Sequence, residues 1–176
     1  MRKIVLFIAM SLDGYIADTD GKVDWLAGQD NDVESDDSYT DFVKTVDTVI
    51  MGWTTYRQIV EELSPGKWVY DSLQSYVITH RDCVQDSNVT FVSEDPCTLV
   101  NGLKQTDGKD IWVCGGADIV HQLMQNNLID IYSISIIPTI LGNGIRLFDV
   151  IDQTIDLRFI SSKSSNGIVE LVYQKR

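Results

Sequence analysis

Three short segments of the chain carry residues whose types and spacing suit the holding of phosphate. In Trp112-Val113-Cys114-Gly115-Gly116-Ala117-Asp118-Ile119 an apolar run reaches paired glycines just where a helical pattern begins. Glycine lets a ligand approach the backbone closely, and a helix start offers an anion unpaired N–H groups and the positive end of the dipole. Met51-Gly52-Trp53-Thr54-Thr55-Tyr56 repeats the arrangement, with hydroxyl residues following a single glycine. Thr79-His80-Arg81 adds a hydroxyl, an imidazole and a guanidinium at the end of a strand-like run, where an open sheet binds its ligands. Each segment also has a plainer reading. Paired glycines make tight turns, Thr54 and Thr55 cap helices without any ligand, and His80 and Arg81 suit a solvated loop. Two helix starts together would bracket one dinucleotide.

These segments need a sheet to align them, and the hydrophobic pattern supplies one. Residues 4–9 form an apolar strand, and Tyr39, Phe42, Val43 and Val46 recur at helical spacing ahead of a strand at 48–51. Tyr56, Ile59, Val60 and Leu63 mark a second helix, opened by a Thr55–Gln58 capping box and closed at Ser64-Pro65-Gly66. Strands at 75–79 and 90–92, a helix at 96–103, a strand at 111–114 and a helix bearing Ile119, Val120, Leu123 and Met124 continue the alternation. The last third changes character. Residues 129–137 and 157–162 read as strands, and Asn166-Gly167 as a two-residue hairpin turn into 168–174. The expectation is a single α/β domain over residues 1–176, with a mostly parallel sheet that ends in antiparallel strands.

Composition narrows the partners. Fourteen Lys and Arg against 26 Asp and Glu give a formal charge of −12, which repels nucleic acid and anionic membranes. Neither partner is expected, and an anionic ligand needs a locally built site. Cys83, Cys97 and Cys114 are an odd number without a C-x-x-C pair, so neither a disulfide framework nor a zinc knuckle is expected. Reduced thiols fit a cytoplasmic protein. No apolar stretch is long enough to cross a bilayer, and the N-terminus lacks a signal-peptide cleavage pattern. Asp30, Asp32, Glu34, Asp36 and Asp41 approximate calcium-loop spacing, but Ser35 stands where the loop needs glycine and no glutamate closes it. No metal is expected. The apolar run at 129–140 exceeds what one sheet face buries, which leads to the expectation of a homodimer.

Four patterns follow one another along the chain: Ser11-Leu12-Asp13-Gly14-Tyr15-Ile16-Ala17, then Met51-Gly52-x-x-Thr55-Tyr56, then Trp112-Val113-Cys114-Gly115-Gly116-Ala117, then Pro138-x-x-Leu141-Gly142-x-Gly144-Ile145-x-Leu147-Phe148. In order and spacing they resemble the dihydrofolate reductase-like family that includes the reductase domain of riboflavin biosynthesis. The resemblance implies a three-layer fold with helices on both faces of the sheet and a C-terminal antiparallel hairpin. It also implies NADPH bound across the sheet's carboxyl edge and hydride transfer to a pterin-like or aminopyrimidine ring. One specific version is reduction of 5-amino-6-(5-phosphoribosylamino)uracil. Dihydrofolate reduction is another, and nucleotide binding without turnover is a third.

Carried over by position, the resemblance places Gly52, Thr54 and Thr55 on one side of the pyrophosphate and Gly115, Gly116, Ala117 and Asp118 on the other. Ala9, Trp53 and Ile119 complete the implied cofactor set, with Thr79, His80 and Arg81 around the adenosine ribose and its 2′-phosphate. Residues 12–26 resemble a mobile loop that closes over the nicotinamide. Tyr15, Trp25 and Leu141 are the implied substrate contacts, and Asp13 and Asp37 the implied catalytic acids. Asp13 equally suits an Asx-turn, and Asp37 a helix-terminal charge. Three departures mark this chain, one of them Thr55-Tyr56-Arg57-Gln58-Ile59-Val60 where riboflavin-branch reductases tend to carry a Thr-x-x-x-Asp-x-Pro pattern. Relatives often carry arginine after the glycine that Gly52 matches, where Trp53 stands here, and riboflavin-branch reductases carry glutamate where Cys114 stands.

Overall fold

The structure, a computed structural model, describes residues 1–30, 38–84 and 86–176. Its strands are β1 (Ile4–Ser11), β2 (Tyr15–Ala17), β3 (Val46–Gly52), β4 (Gln74–Ile78), β5 (Val89–Val92), β6 (Asp110–Gly115), β7 (Ile131–Ile137), β8 (Ile145–Arg146), β9 (Leu157–Ser165) and β10 (Ile168–Lys175). The helices are α1 (Ser38–Val43), α2 (Trp53–Gln58), α3 (Pro96–Lys104) and α4 (Ala117–Gln125), and α2 runs on into a π-helical turn at Ile59–Leu63. Eight strands form one sheet in the order β5-β4-β3-β6-β1-β7-β10-β9, and β2 and β8 form a separate pair. From β5 to β7 neighbouring strands are parallel, while β10 runs antiparallel to both β7 and β9. The expected mostly parallel sheet with a C-terminal hairpin is what forms.

Alternation along the central strands builds a core on each face. Ile4, Leu6, Ile50, Ile111 and Val113 meet Leu99 and Val100 of α3 and Ile119, Val120, Leu123 and Met124 of α4. Val49, Met51 and Trp112 turn the other way, toward Phe42 and Val43 of α1, Tyr56 of α2 and Ile59 of the π-helical turn. Ile4, Leu6, Ile50 and Ile111 are fully buried, and each such side chain stabilises the fold by roughly 1.5–3 kcal/mol. Asp95 caps α3 by accepting from the N–H groups of Cys97 and Thr98, with Pro96 in the first turn. The Asn166-Gly167 turn takes the two positive φ angles, 49° and 76°, that a tight hairpin requires.

Four expectations change. The Thr55–Gln58 capping box does not form: α2 starts three residues earlier with Gly52 as its N-cap, and Gln58 instead donates through Nε2 to the Gly21 carbonyl at 2.8 Å. Val46, grouped with a helical face by spacing, is buried at the start of β3 because neighbouring strands claim it. The β2–β8 pair was not anticipated, since strands of three and two residues show no period. Most of the apolar run at 129–140 is accommodated within the chain, because β7 lies inside the sheet between β1 and β10 with Tyr132, Ile134 and Ile137 buried, while Ile140 stays exposed.

Candidate functional site

The sheet's carboxyl edge brings two helix starts into contact. β3 and β6 are neighbours, and Met51 is in register with Gly115. α2 begins directly after Gly52 and α4 directly after Gly116. A Cβ on Gly52 would lie 3.5 Å from Ile119 Cγ1 and 3.9 Å from the Gly116 nitrogen, and one on Gly116 would lie 3.4 Å from Thr55 Oγ1. Neither N-cap glycine has a side chain to spend on the helix amides. The first turn of α4 is closed by the Val120 N–H donating to the Gly116 carbonyl at 3.2 Å, so the N–H groups of Ala117, Asp118 and Ile119 precede the helix's own ladder. The Gly115–Gly116 peptide is cis, and Gly115 has φ +129°, a conformation L side chains rarely adopt. Asp118 is exposed, and toward an anion it has only its backbone N–H to offer, since its carboxylate repels.

Beside this cradle lies the turn after β4. Thr79 is buried, its N–H donates to the Val92 carbonyl at 2.8 Å, and its Oγ1 accepts from the Arg81 N–H at 3.1 Å. His80 and Arg81 are exposed, and the Arg81 guanidinium lies over the Trp53 ring, 5.5 Å from its centroid. Ala9 is half-buried on β1, opposite Ser135 of β7. Thr54 is exposed at the start of α2.

The segment expected to be a mobile lid is tethered along its length. Asp13 accepts from Ser11 Oγ at 2.7 Å, from the Leu141 N–H at 3.1 Å and from the Gly142 N–H at 2.7 Å. Leu12 N–H donates to the Thr139 carbonyl at 2.8 Å and Leu147 N–H to the Gly14 carbonyl at 2.9 Å. Further on, Gln58 holds Gly21, and the Asn166 side chain pairs with the backbone of Asp30 in both directions. Trp25 is half-buried, its indole N–H donating to Lys22 within the same loop at 3.3 Å. Tyr15 is buried, and the Arg146 guanidinium lies over its ring at 4.8 Å.

The Ser11 hydroxyl, then the Gly142 and Leu141 amides, hold the Asp13 carboxyl at about 2, down from 3.8. It is ionised at neutral pH, and its bonds tie the first loop to residues 141–142. Because the folded value lies below the unfolded one, its contribution to stability is complete above about pH 4 and is lost as the pH falls toward 2. We therefore expect the melting-temperature gap between the wild type and Asp13→Asn to be widest above pH 4 and to close by pH 2. A gap that does not change with pH would show that the carboxylate is not held by these donors.

Other groups have duller tasks. Burial pushes the Cys114 thiol up to about 11, with Sγ 3.8 Å from the Tyr70 hydroxyl, so it stays protonated at neutral pH. His121 donates through Nε2 to the Leu147 carbonyl at 2.8 Å, a structural bond between α4 and the loop after β8. Asp37 lies outside the described residues, as do Asp32, Glu34 and Asp36 of the acidic run. The structure thus joins Gly52, Thr55, Gly115, Gly116 and Ile119 in one cradle and joins Trp53 with Arg81. It also joins Asp13 to the backbone amides of Leu141 and Gly142. Gln58, Gly144 and Arg146 emerge as neighbours of Gly21, Ala17 and Tyr15; Gln58 and Gly144 belonged to patterns visible beforehand, Arg146 to none.

Comparison with known proteins agrees with this fold. The model of the RibD C-terminal domain matches residues 2–169. The chain belongs to the RibD C-terminal domain family. Within this reductase family, it is 42% identical to the uncharacterized protein YwjB of Bacillus subtilis (strain 168) over 98% of this chain and 97% of that one. The B. subtilis protein YyaP is 32% identical over 98% and 94% of the two chains. A crystal structure of a Shewanella sp. PV-4 protein assigned to riboflavin biosynthesis superposes with a TM-score of 0.87 at 25% identity, covering 99% of both chains. The Thermotoga maritima deaminase/5-amino-6-(5-phosphoribosylamino)uracil reductase shares the fold, with a TM-score of 0.71 at 13% identity over 99% of this chain and 57% of its own. Among the described residues, no helix of this RibD-type domain is long and apolar enough to cross a membrane.

Proposed function

We propose that the chain is an NADPH-dependent reductase delivering hydride to a small pterin-like or aminopyrimidine heterocycle, with 5-amino-6-(5-phosphoribosylamino)uracil as the specific candidate. One observation carries the reading: two helix starts meet at the carboxyl edge of the sheet through glycines, with the Thr55 hydroxyl between them. Side chains on Gly52 or Gly116 would occupy the room that a pyrophosphate needs. The residues present fit the group.

In this reading Gly52, Thr55, Gly116 and the N–H groups of Ala117, Asp118 and Ile119 hold the pyrophosphate, while Thr79 and Arg81 face the 2′-phosphorylated ribose. Bound there, the nicotinamide supplies the hydride. The chain's own task is alignment. Asp13, ionised and committed to Ser11, Leu141 and Gly142, keeps residues 11–15 and 139–147 together as one wall and leaves protonation of the substrate to another group. Cys114 contributes a neutral thiol at the end of β6, where a carboxylate would bring charge.

The test is a fluorescence titration with NADPH and with NADH, followed by the loss of reduced-nicotinamide absorbance on adding the ribosylaminouracil phosphate or dihydrofolate. Micromolar NADPH binding and turnover of the first substrate are expected. Absence of NADPH binding overturns the enzyme reading; binding without turnover of either substrate moves the chain to a nucleotide-binding role.

A further inference from the structure

Arg81, like Arg146, lies over an aromatic ring rather than against a carboxylate among the described residues. With 26 Asp and Glu available, its guanidinium forms no ion pair and no side-chain hydrogen bond among the described residues, although it is exposed. It lies instead over the Trp53 ring at 5.5 Å. The ring is itself fixed, since Trp53 is the first residue of α2 and packs against Tyr56 at 5.6 Å and Phe91 at 6.3 Å between centroids. The Arg81 backbone is fixed from the other side by its N–H bond to the buried Thr79 hydroxyl. A carboxylate partner would occupy the fork of N–H groups. An aromatic face holds the plane of the guanidinium and leaves its edge open for a bidentate anion.

We infer that Trp53 is a positioning residue for Arg81, and that the pair selects a 2′-phosphorylated adenine nucleotide over its unphosphorylated counterpart. This rests on the NADPH reading above. Trp53 stands where charge would otherwise follow Gly52, and it acts on the nucleotide through another residue's charge. Selectivity therefore depends on an aromatic ring that carries no charge of its own.

Calorimetric titration of the full chain with 2′,5′-ADP and with 5′-AMP tests it. The wild type is expected to prefer 2′,5′-ADP. Arg81→Ala should weaken that probe by about 10- to 100-fold and leave 5′-AMP nearly unchanged. Trp53→Leu should weaken 2′,5′-ADP by about 3- to 5-fold, again with little change for 5′-AMP, and Trp53→Phe, which keeps a ring, should recover most of the loss. A Trp53→Leu chain that keeps the wild-type ratio of the two affinities, or that loses both probes equally, overturns the positioning role. A wild type that binds both probes equally overturns the selectivity alone, whereas a wild type that binds neither NADPH nor either probe overturns the nucleotide reading itself.

Discussion

Gly116→Val is expected to weaken NADPH binding by roughly 100-fold or more while leaving the fold in place. Gly116 has φ −84° and ψ −165°, extended backbone that any residue adopts, so the substitution brings little conformational strain. What it brings is volume. A Cβ there already lies 3.4 Å from Thr55 Oγ1, and valine's two methyl groups extend from that point between the starts of α2 and α4. The amides of Ala117 to Ile119 would then be screened from any phosphate. Losing even one or two charge-assisted hydrogen bonds costs about 3 kcal/mol, which is the stated factor in affinity. Circular dichroism and the melting temperature should stay close to wild type while the NADPH titration flattens. Wild-type affinity in this variant would show that the cradle does not hold the cofactor.

Gly144→Ala should do the reverse and damage the fold first. Gly144 has φ +146°, and an added Cβ would fall against the Ala17 carbonyl oxygen and 3.1 Å from Asp18 Cα. Those atoms are backbone and have no rotamer to yield. The strain and the overlap together should cost about 3 kcal/mol, lowering the melting temperature by roughly 6–12 °C for a chain of this size. Gly142→Ala is the control: its φ is +75°, but nothing lies within 4 Å of the added carbon. It should lose only about 1 kcal/mol. Equal melting temperatures for the two variants would contradict the close approach of β8 to residues 17–18.

How far the chain could be read in advance differs by type of feature. The sheet's alternation, the glycine junction at 115–116 and the Asn166-Gly167 turn were legible because each is a local property: a period of two, a missing Cβ, a pair of residues tolerant of positive φ. The start of α2 was misplaced because Thr55 and Gln58 satisfy a local rule that Gln58 breaks by reaching a carbonyl 37 positions away. Asp13 illustrates the same limit more strongly. Its type suggested both an acid and a turn, and its bonds to the amides of Leu141 and Gly142, on a loop about 130 positions distant, leave no local trace. The Trp53–Arg81 stack joins residues from two different strand ends and leaves no periodic trace. Partner choice across the fold is tertiary, and a single sequence records the candidates rather than the pairing.

The place of β1 in the sheet has a consequence for how the protein is made. Its ladder partners are β6 and β7, with Ile4 beside Ile111 and Ser11 beside Ile137. β1 is thus flanked by two strands that are synthesised more than a hundred residues after it. At translation rates of roughly 5–20 residues per second, its apolar edges wait on the order of ten seconds for company. Meanwhile β3, β4 and β5 can pair with each other as they emerge. β1 is inserted between strands made well after it, and until they arrive its edges are open to other partners.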